Sequence, residues 1–89
     1  MEVRWSDEKN SILKQTRNVS FEDVENAIMN DKILDIIPHH NLEKFAHQKL
    51  MIITIRNYTY YVPFVRNEEE IFLKNIIPSR KYHKIYHKE

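Results

Sequence analysis

Basic and hydroxyl-bearing side chains crowd the C-terminal end of this 89-residue chain. An apolar segment at residues 71–77 leads into a short stretch that contains Arg80, Lys81, His83, Lys84, Tyr86 and His87. Metal-free RNA cleavage needs a base for the ribose 2′ proton, cations for the charge on the phosphorane and an acid for the leaving oxygen. The residue types in this stretch can supply all three.

Helical spacing would place part of this set on one stripe. Arg80, His83 and His87 stand at i, i+3 and i+7 and therefore share one side of a helix. The opposite, core-facing side would hold Tyr82, Ile85 and Tyr86. A histidine suits proton transfer because it titrates near neutral pH. The stripe is interpreted either as an RNA-facing surface or as an ordinary solvated helix face.

The histidines also raise the possibility of a metal site. His83 and His87 have the i, i+4 spacing of two zinc ligands, and His39 or His40 could add a third. The zinc-protease pattern His-Glu-x-x-His would place a glutamate directly after the first histidine, and Lys84 occupies that position. We therefore expect no metal and no other cofactor. His39 and His40 are expected to be exposed loop residues.

Capping signals predict two helices near the start of the chain. Ser6 can cap a helix over residues 7–17, whose first turn is acidic and whose last turn is basic. Ser20 and Asp23 have capping-box spacing, so a second helix should start at Phe21.

Runs of β-branched and aromatic residues predict the strands that follow. These strands cover residues 33–37, 49–55, 58–65 and 71–77, with an irregular segment at residues 39–47. Arg56-Asn57 forms a two-residue hairpin loop that sets Ile53 opposite Tyr60. Ser79 can cap the last helix. Because the chain has no glycine, backbone positions with positive φ should fall on its asparagines, Asn18, Asn30, Asn57 and Asn67.

These elements sum to one α+β domain over residues 1–89. Two N-terminal helices should pack on a small antiparallel sheet, with a short C-terminal helix. The chain has no cysteine, which fits a reducing cytoplasm. Its first residues lack the apolar region of a signal peptide, and the longest apolar run, at residues 50–55, is too short to span a bilayer. We therefore expect a cytoplasmic protein without a membrane partner.

The formal net charge is only +1, but the charges are unevenly distributed. Residues 1–35 contain eight acidic and five basic side chains, whereas residues 36–89 contain nine basic and five acidic ones. A positive face built from the C-terminal half would suit RNA. An ordinary mixed surface is the alternative, and composition leaves both open.

Three segments resemble, in order and spacing, those of the BrnT family of bacterial toxin components. They are Trp5-Ser-Asp-Glu-Lys-Asn10, Val19-Ser-Phe-Glu-Asp-Val24 and Ile76-Ile-Pro-Ser-Arg-Lys81. The family typically shows Trp-Asp-x-x-Lys-Asn, Gly-Val-Ser-Phe-Glu and Ile-Ser-x-Arg-Lys at these places. The resemblance covers nearly the whole chain. It implies a RelE-like fold, RNA cleavage that stops translation, and a cognate antitoxin of ribbon-helix-helix type.

The resemblance, taken with the residue chemistry, assigns roles to individual side chains. Arg80 and Lys81 match the basic pair of the family's strand-to-helix junction, and we expect them to stabilise the pentavalent phosphate. We expect His83 or Tyr86 to transfer protons. The expected RNA-binding residues are Lys49, Arg66 and Lys84. The RNA substrate is either free or ribosome-bound.

Two departures from the family pattern keep other functions open. The family's histidine before Gly-Val-Ser-Phe is Arg17 here, and the arginine often found on its last strand is Asn75. If either residue is needed for chemistry, the main alternative is a non-catalytic interaction module that acts with a DNA-binding partner as a repressor. A third reading is a single-strand RNA binder that stacks bases on Tyr58, Tyr60 and Tyr61, although most of these aromatics are expected in the core.

Overall fold

The computed structural model describes residues 1–87 and shows an α+β fold of four helices and six strands. The helices are α1 (Asp7–Arg17), α2 (Phe21–Met29), α3 (Leu42–Phe45) and α4 (Arg80–Tyr86). The strands are β1 (Glu2–Arg4), β2 (Ile33–Pro38), β3 (Lys49–Ile55), β4 (Tyr58–Arg66), β5 (Glu70–Leu73) and β6 (Ile77–Pro78). These bounds confirm the predicted α+β class and the starts of α1, α2 and α4. No helix within residues 1–87 has the length and apolar character needed to cross a membrane.

Side-chain caps fix where three of the helices begin. Ser6 accepts a hydrogen bond from the backbone three residues further on, and Ser20 and Asp23 form a complete capping box. Ser79 caps α4 with a 3.1 Å bond from a backbone N–H. Such caps contribute about 1 kcal/mol each, which is why local sequence alone located these helix starts.

The sheet has the strand order β1-β5-β4-β3-β2, and β6 also pairs with β4. The hairpin register is confirmed, with Ile53 opposite Tyr60. Arg56 and Asn57 both take positive φ, of 46° and 70°, as a tight two-residue hairpin turn requires. The prediction of a wholly antiparallel sheet was wrong, because β1 pairs with β5 in parallel. A three-residue strand is too short to show an alternating pattern in sequence.

Two predicted segments differ in detail from the structure. The strand expected over residues 71–77 is split into β5 and β6, and residues 74–76 leave the ladder between them. The carbonyl of Ile76 in this break accepts a 2.6 Å hydrogen bond from Arg17. The segment expected to be irregular, residues 39–47, contains the one-turn helix α3, which Asn41 caps.

The two faces of the sheet are covered unequally. On the α1–α2 face, those helices bury the odd-numbered residues of β3, such as Met51 and Ile53, in the larger core cluster. On the opposite, α4 face, Leu50 and Ile52 form a smaller cluster with Tyr82 of α4. Successive strand side chains point to opposite faces, so this alternation decides on which side each polar residue lies.

Candidate functional site

Helix α4 is anchored on the sheet by two tyrosines. Both rings pack against the smaller core cluster, and Tyr82 is buried. The Tyr86 hydroxyl donates a 2.7 Å hydrogen bond to a carboxylate oxygen of Asp35 on β2. The Tyr82 hydroxyl lies 2.8 Å from Nε2 of His40. These two contacts tie α4 to β2 and to the loop that follows β2.

Three cations lie on the solvent side of α4. Arg80, Lys81 and Lys84 are all exposed. Among residues 1–87, the salt bridges involve other cations, and none of these three has an acidic partner within 4 Å. The Lys81 ammonium group lies 5.4 Å from the centre of the neighbouring Tyr82 ring. The charges of α4 are therefore available to an anionic ligand.

His83 lies at the boundary between this exposed side and the sheet. Its Nδ1 is 3.0 Å from Oγ1 of Thr59, whose side chain is fully buried. Its ring stacks on Tyr58 with centroids 4.5 Å apart and an interplanar angle of 23°. Nε2 has no hydrogen-bond partner among the described residues. The ring is thus fixed through one nitrogen, while the other can act on a substrate.

The histidine that directly follows α4 also contacts a threonine of the sheet. Nε2 of His87 lies 3.2 Å from Oγ1 of Thr54, which pairs with Thr59 across β3 and β4. The His83 and His87 rings are 4.7 Å apart. The predicted division of the helix into two stripes was therefore partly wrong. Because α4 rests on its two tyrosines, both histidines turn toward the sheet, and Ile85, expected in the core, is 47% exposed.

The geometry favours a structural role for Tyr86. The hydrogen bond to Asp35 is the main reason that the pKa of Tyr86 is raised, followed by desolvation. Burial is the main reason that the pKa of Tyr82 is raised. A hydroxyl whose proton is engaged by a carboxylate is poorly placed to exchange that proton with RNA. Of the two predicted proton-transfer residues, His83 is the one whose free nitrogen fits the task.

The loop histidines do not gather at α4 as metal ligands. His40 is an exposed loop residue, as expected, and it packs edge-on against Tyr61, with ring centroids 5.2 Å apart. The ring of His39 contacts Phe45 instead, and burial, followed by the charge of His40, lowers the pKa of His39. Within residues 1–87, no group of three or more His, Cys, Asp or Glu side chains converges where a metal ion could bind.

Two predicted RNA-binding residues lie away from α4. Lys49 and Arg66 line a cavity of about 570 Å³ on the α1–α2 face, beyond the helices. Lys49 has the same parity on β3 as the core residue Met51, whereas α4 covers the opposite side. The structure therefore brings Arg80, Lys81, His83, Lys84 and Tyr86 together on one helix and separates Lys49 and Arg66 from them.

The aromatic residues of the hairpin are largely occupied by packing. Phe64 is buried in the larger cluster, which Tyr60 also contacts, and Tyr61 packs against the smaller one. Tyr58 is partly exposed but already stacked on His83. This arrangement leaves little aromatic surface for stacking bases along the hairpin.

No protein-family model, curated protein or solved structure matches this chain. The resemblance to the BrnT family therefore rests on the motif residues, and the structure gives several of them packing roles. Trp5 stacks on Phe21 with ring centroids 5.8 Å apart. Asn10, which is buried, accepts a 2.7 Å hydrogen bond from the Phe21 backbone and donates a 2.6 Å bond to Glu22. These contacts join α1 to the start of α2.

Two of the positions that depart from the BrnT pattern, Arg17 and Asn75, lie in contact with each other. A guanidinium nitrogen of Arg17 is 3.3 Å from the side-chain oxygen of Asn75, and it also binds the Ile76 carbonyl in the break between β5 and β6. The same Asn75 oxygen accepts a 2.8 Å bond from the Ile76 N–H. Both residues thus hold the chain where it leaves the ladder, just before α4.

Three residues that contact the α4 site were not assigned this role from the sequence, in which His40 was considered only as a metal ligand or a loop residue. They are Asp35, His40 and Thr59. A carboxylate inside the apolar run Ile33–Ile37 was a usable signal for Asp35, and a hydroxyl near the start of an apolar strand was a weaker one for Thr59. No local pattern linked His40 to α4, because its contact with Tyr82 joins residues that are 42 positions apart.

Proposed function

We propose that this chain is the toxin of a bacterial type II toxin–antitoxin system, an endoribonuclease that acts without a metal ion and inhibits translation. The observation that carries the proposal is the position of His83. Its ring is fixed by Thr59 and Tyr58 on the same helix as three cations that have no salt-bridge partner among residues 1–87. Cleavage through the ribose 2′ oxygen requires a positioned base and cations that stabilise the charge on the phosphate, and an immobilised imidazole beside several cations supplies both.

The tautomer of His83 sets its role in this reaction. If the Thr59 hydroxyl accepts the Nδ1 proton, Nε2 carries the lone pair and can take the ribose 2′ proton. The 2′ oxygen then attacks phosphorus, the bond from phosphorus to the 5′ oxygen breaks, and a 2′,3′-cyclic phosphate forms. The 5′ oxygen takes its proton from water on the exposed side of α4.

The cations stabilise the charge that develops on the phosphate. Arg80 has a forked, permanently charged guanidinium that can hold two phosphate oxygens at once. Lys81 adds a second charge, and Lys84, one turn after Arg80, contacts a neighbouring backbone phosphate. Tyr86 serves this site by holding α4 on β2 through Asp35.

The charge at the start of α4 supports a functional reason for its basic residues. The first turns of α1 and α2 carry acids, as the helix dipole favours, whereas α4 begins with Arg80 and Lys81. A cation in the first turn is unfavourable by about 0.3–1 kcal/mol. Local rules of this kind are typically broken at functional sites.

The proposal also includes a partner and a location, which follow from the BrnT resemblance. A cognate ribbon-helix-helix antitoxin covers α4 and so neutralises the toxin, and both proteins act in the cytoplasm. The substrate is free or ribosome-bound RNA.

Cleavage of a defined RNA by the purified chain tests the proposal. The reaction is run in EDTA, with and without ribosomes, and the products are resolved by gel and by mass. We expect fragments that end in a 2′,3′-cyclic phosphate, and we expect folded Arg80→Ala protein to produce far less of them. Intact RNA under all of these conditions, together with normal growth of cells that express the chain alone, would contradict the proposal.

One observation favours a second candidate function. The Arg17 and Asn75 contact uses both departures from the family pattern for structure rather than for substrate binding. A non-catalytic module that joins a DNA-binding partner as a repressor would retain the fold with such substitutions. In that case the chain would bind its partner stably, leave RNA intact and leave growth unchanged.

A further inference from the structure

The cavity on the α1–α2 face has two cations in a fixed relative position. Lys49 lies directly opposite Phe64 in the β3–β4 ladder, and Arg66 lies two residues beyond Phe64 on the same side of β4. Such diagonal neighbours are separated by about 7–8 Å, within reach of long side chains. Neither cation has a salt-bridge partner within residues 1–87. Both charges can therefore be directed at one ligand group.

The remaining walls combine apolar surface with a single acid. Phe64, which is 4% exposed, belongs to the core, and Ile36 of the edge strand β2 is 46% exposed. Glu68 and His47 also line the cavity. The charged side chains that line the cavity, one lysine, one arginine and one glutamate, together leave one net positive charge. That balance suits a ligand with one anionic group and disfavours an extended polyanion, which Glu68 would repel.

We propose that this cavity binds a small organic anion, with a phosphate or carboxylate head group on an apolar body. Lys49 and Arg66 hold the head group, because a charge-assisted contact from each is stronger than a neutral hydrogen bond. Ile36, which is 46% exposed, contacts the body beside the almost fully buried ring of Phe64. The volume of about 570 Å³ falls within the range typical of small-molecule sites.

This site goes beyond RNA cleavage and does not depend on it. It lies on the face of the sheet opposite to α4 and shares no residue with the group around His83. It also gives Lys49 and Arg66 a different role from the RNA contact that the sequence suggests.

Titration of the isotope-labelled full chain, followed by amide NMR signals, tests the proposal. The probes are phenyl phosphate, benzoate, inorganic phosphate and benzyl alcohol, which separate the head group from the body. We expect phenyl phosphate or benzoate to shift signals at residues 49, 64 and 66 saturably. The same cavity should bind inorganic phosphate and benzyl alcohol at least about 10-fold more weakly, since each lacks one half of the interaction. The stronger of the two aromatic anions identifies the head group.

Matched variants assign the binding to the two cations. Lys49→Gln and Arg66→Gln should each weaken binding by about 10-fold, as expected for loss of one charged hydrogen bond. Lys32→Gln is the control, because Lys32 is exposed but lines other surface hollows. The absence of saturable shifts, shifts centred on α4, equal binding of inorganic phosphate, or equal weakening by Lys32→Gln would each overturn the proposal.

Discussion

The α4 site and the Lys49–Arg66 cavity both contain cations without a salt-bridge partner in the described part of the chain, yet the residues around these cations differ. On α4, the cations stand beside an imidazole that Thr59 and Tyr58 hold in place. In the cavity, they stand above the apolar side chains of core and edge residues. Positive charge by itself binds anions. At α4, the immobilised His83 can transfer protons and so allows catalysis. In the cavity, the apolar lining favours ligands that have an apolar part.

The two regions also differ in how they are supported. Lys49 and Arg66 project from β3 and β4, the strands of the confirmed central hairpin, so backbone ladders determine their spacing. The α4 residues depend on the contacts of one short helix, through the hydroxyls of Tyr82 and Tyr86. A seven-residue helix is marginal in isolation, since most helix stability in proteins comes from packing. Catalysis should therefore be more sensitive than the cavity to loss of these two anchors.

The largest expected effect is on the α4 side of this comparison. Arg80→Ala should slow single-turnover RNA cleavage by about 100- to 1000-fold, as removal of one preorganised charge contact typically does. Lys49→Ala is the matched change in the cavity, and it should leave the rate within about 3-fold of the parent, since a surface cation acts only through screened long-range attraction. Thermal melts of both variants exclude unfolding. If Lys49→Ala is the slower enzyme, the chemistry lies on the α1–α2 face.

His83→Ala should have the next largest effect. Loss of a general base typically costs about 100-fold or more, and the limb of the pH–rate profile that reports the imidazole should flatten. The control is His47→Ala, which removes the histidine that lines the cavity. Thr59→Val adds a test of tautomer control, because it removes the hydroxyl near Nδ1 and nearly preserves side-chain shape. An unchanged pH profile in His83→Ala would remove this residue from the mechanism.

A smaller effect should follow from loss of an anchor of α4. Tyr86→Phe removes the hydrogen bond to Asp35 and should lower the free energy of unfolding by about 0.5–1.5 kcal/mol at neutral pH. Because the pKa of Tyr86 is raised in the folded state, its contribution is fully present below the unfolded pKa of about 10 and is lost as pH rises through the folded value. Denaturant titrations at neutral pH and above pH 10 should therefore show the parent and Tyr86→Phe converging in alkali. If the unfolding free energies of the two proteins instead differ more above pH 10 than at neutral pH, the assigned hydrogen bond between Tyr86 and Asp35 is contradicted.

The sequence was most informative where structure is decided locally. Ser6, Ser20 and Ser79 cap the helices they were expected to cap, and the two-residue loop fixed the β3–β4 register. The asparagines were a mixed case. Asn18 and Asn57 take positive φ, but Asp31 does so in place of Asn30. Asn67 instead accepts two backbone hydrogen bonds through its side chain.

The sequence did not predict which elements far apart along the chain contact each other. Alternation along β3 and β4 puts Lys49 and Arg66 on the side of Met51, but no local signal indicates which face a helix after β6 will cover. The same limit applies to His40 and to the pairing of β1 with β5, since each depends on a partner far along the chain. The sequence therefore identified the residues of α4 as a candidate site, but it did not predict that Lys49 and Arg66 lie on the opposite face of the sheet.

The smallest expected effect separates function from stability within α4 itself. Lys81→Glu replaces a cation in the first turn by an acid, which the helix dipole favours, and the side chain is exposed. At low ionic strength the variant should be more stable than the parent by about 0.3–1 kcal/mol, and salt should reduce the gain. Cleavage should fall, because the new charge repels the phosphate.

Asp7→Lys is the reciprocal control at the start of α1, and it should destabilise the protein by a similar amount without changing cleavage. Chemical denaturation at two salt concentrations and single-turnover cleavage measure the two quantities on the same samples. A Lys81→Glu protein that is less stable than the parent would mean that this lysine is retained for packing over Tyr82 and not for its charge toward RNA.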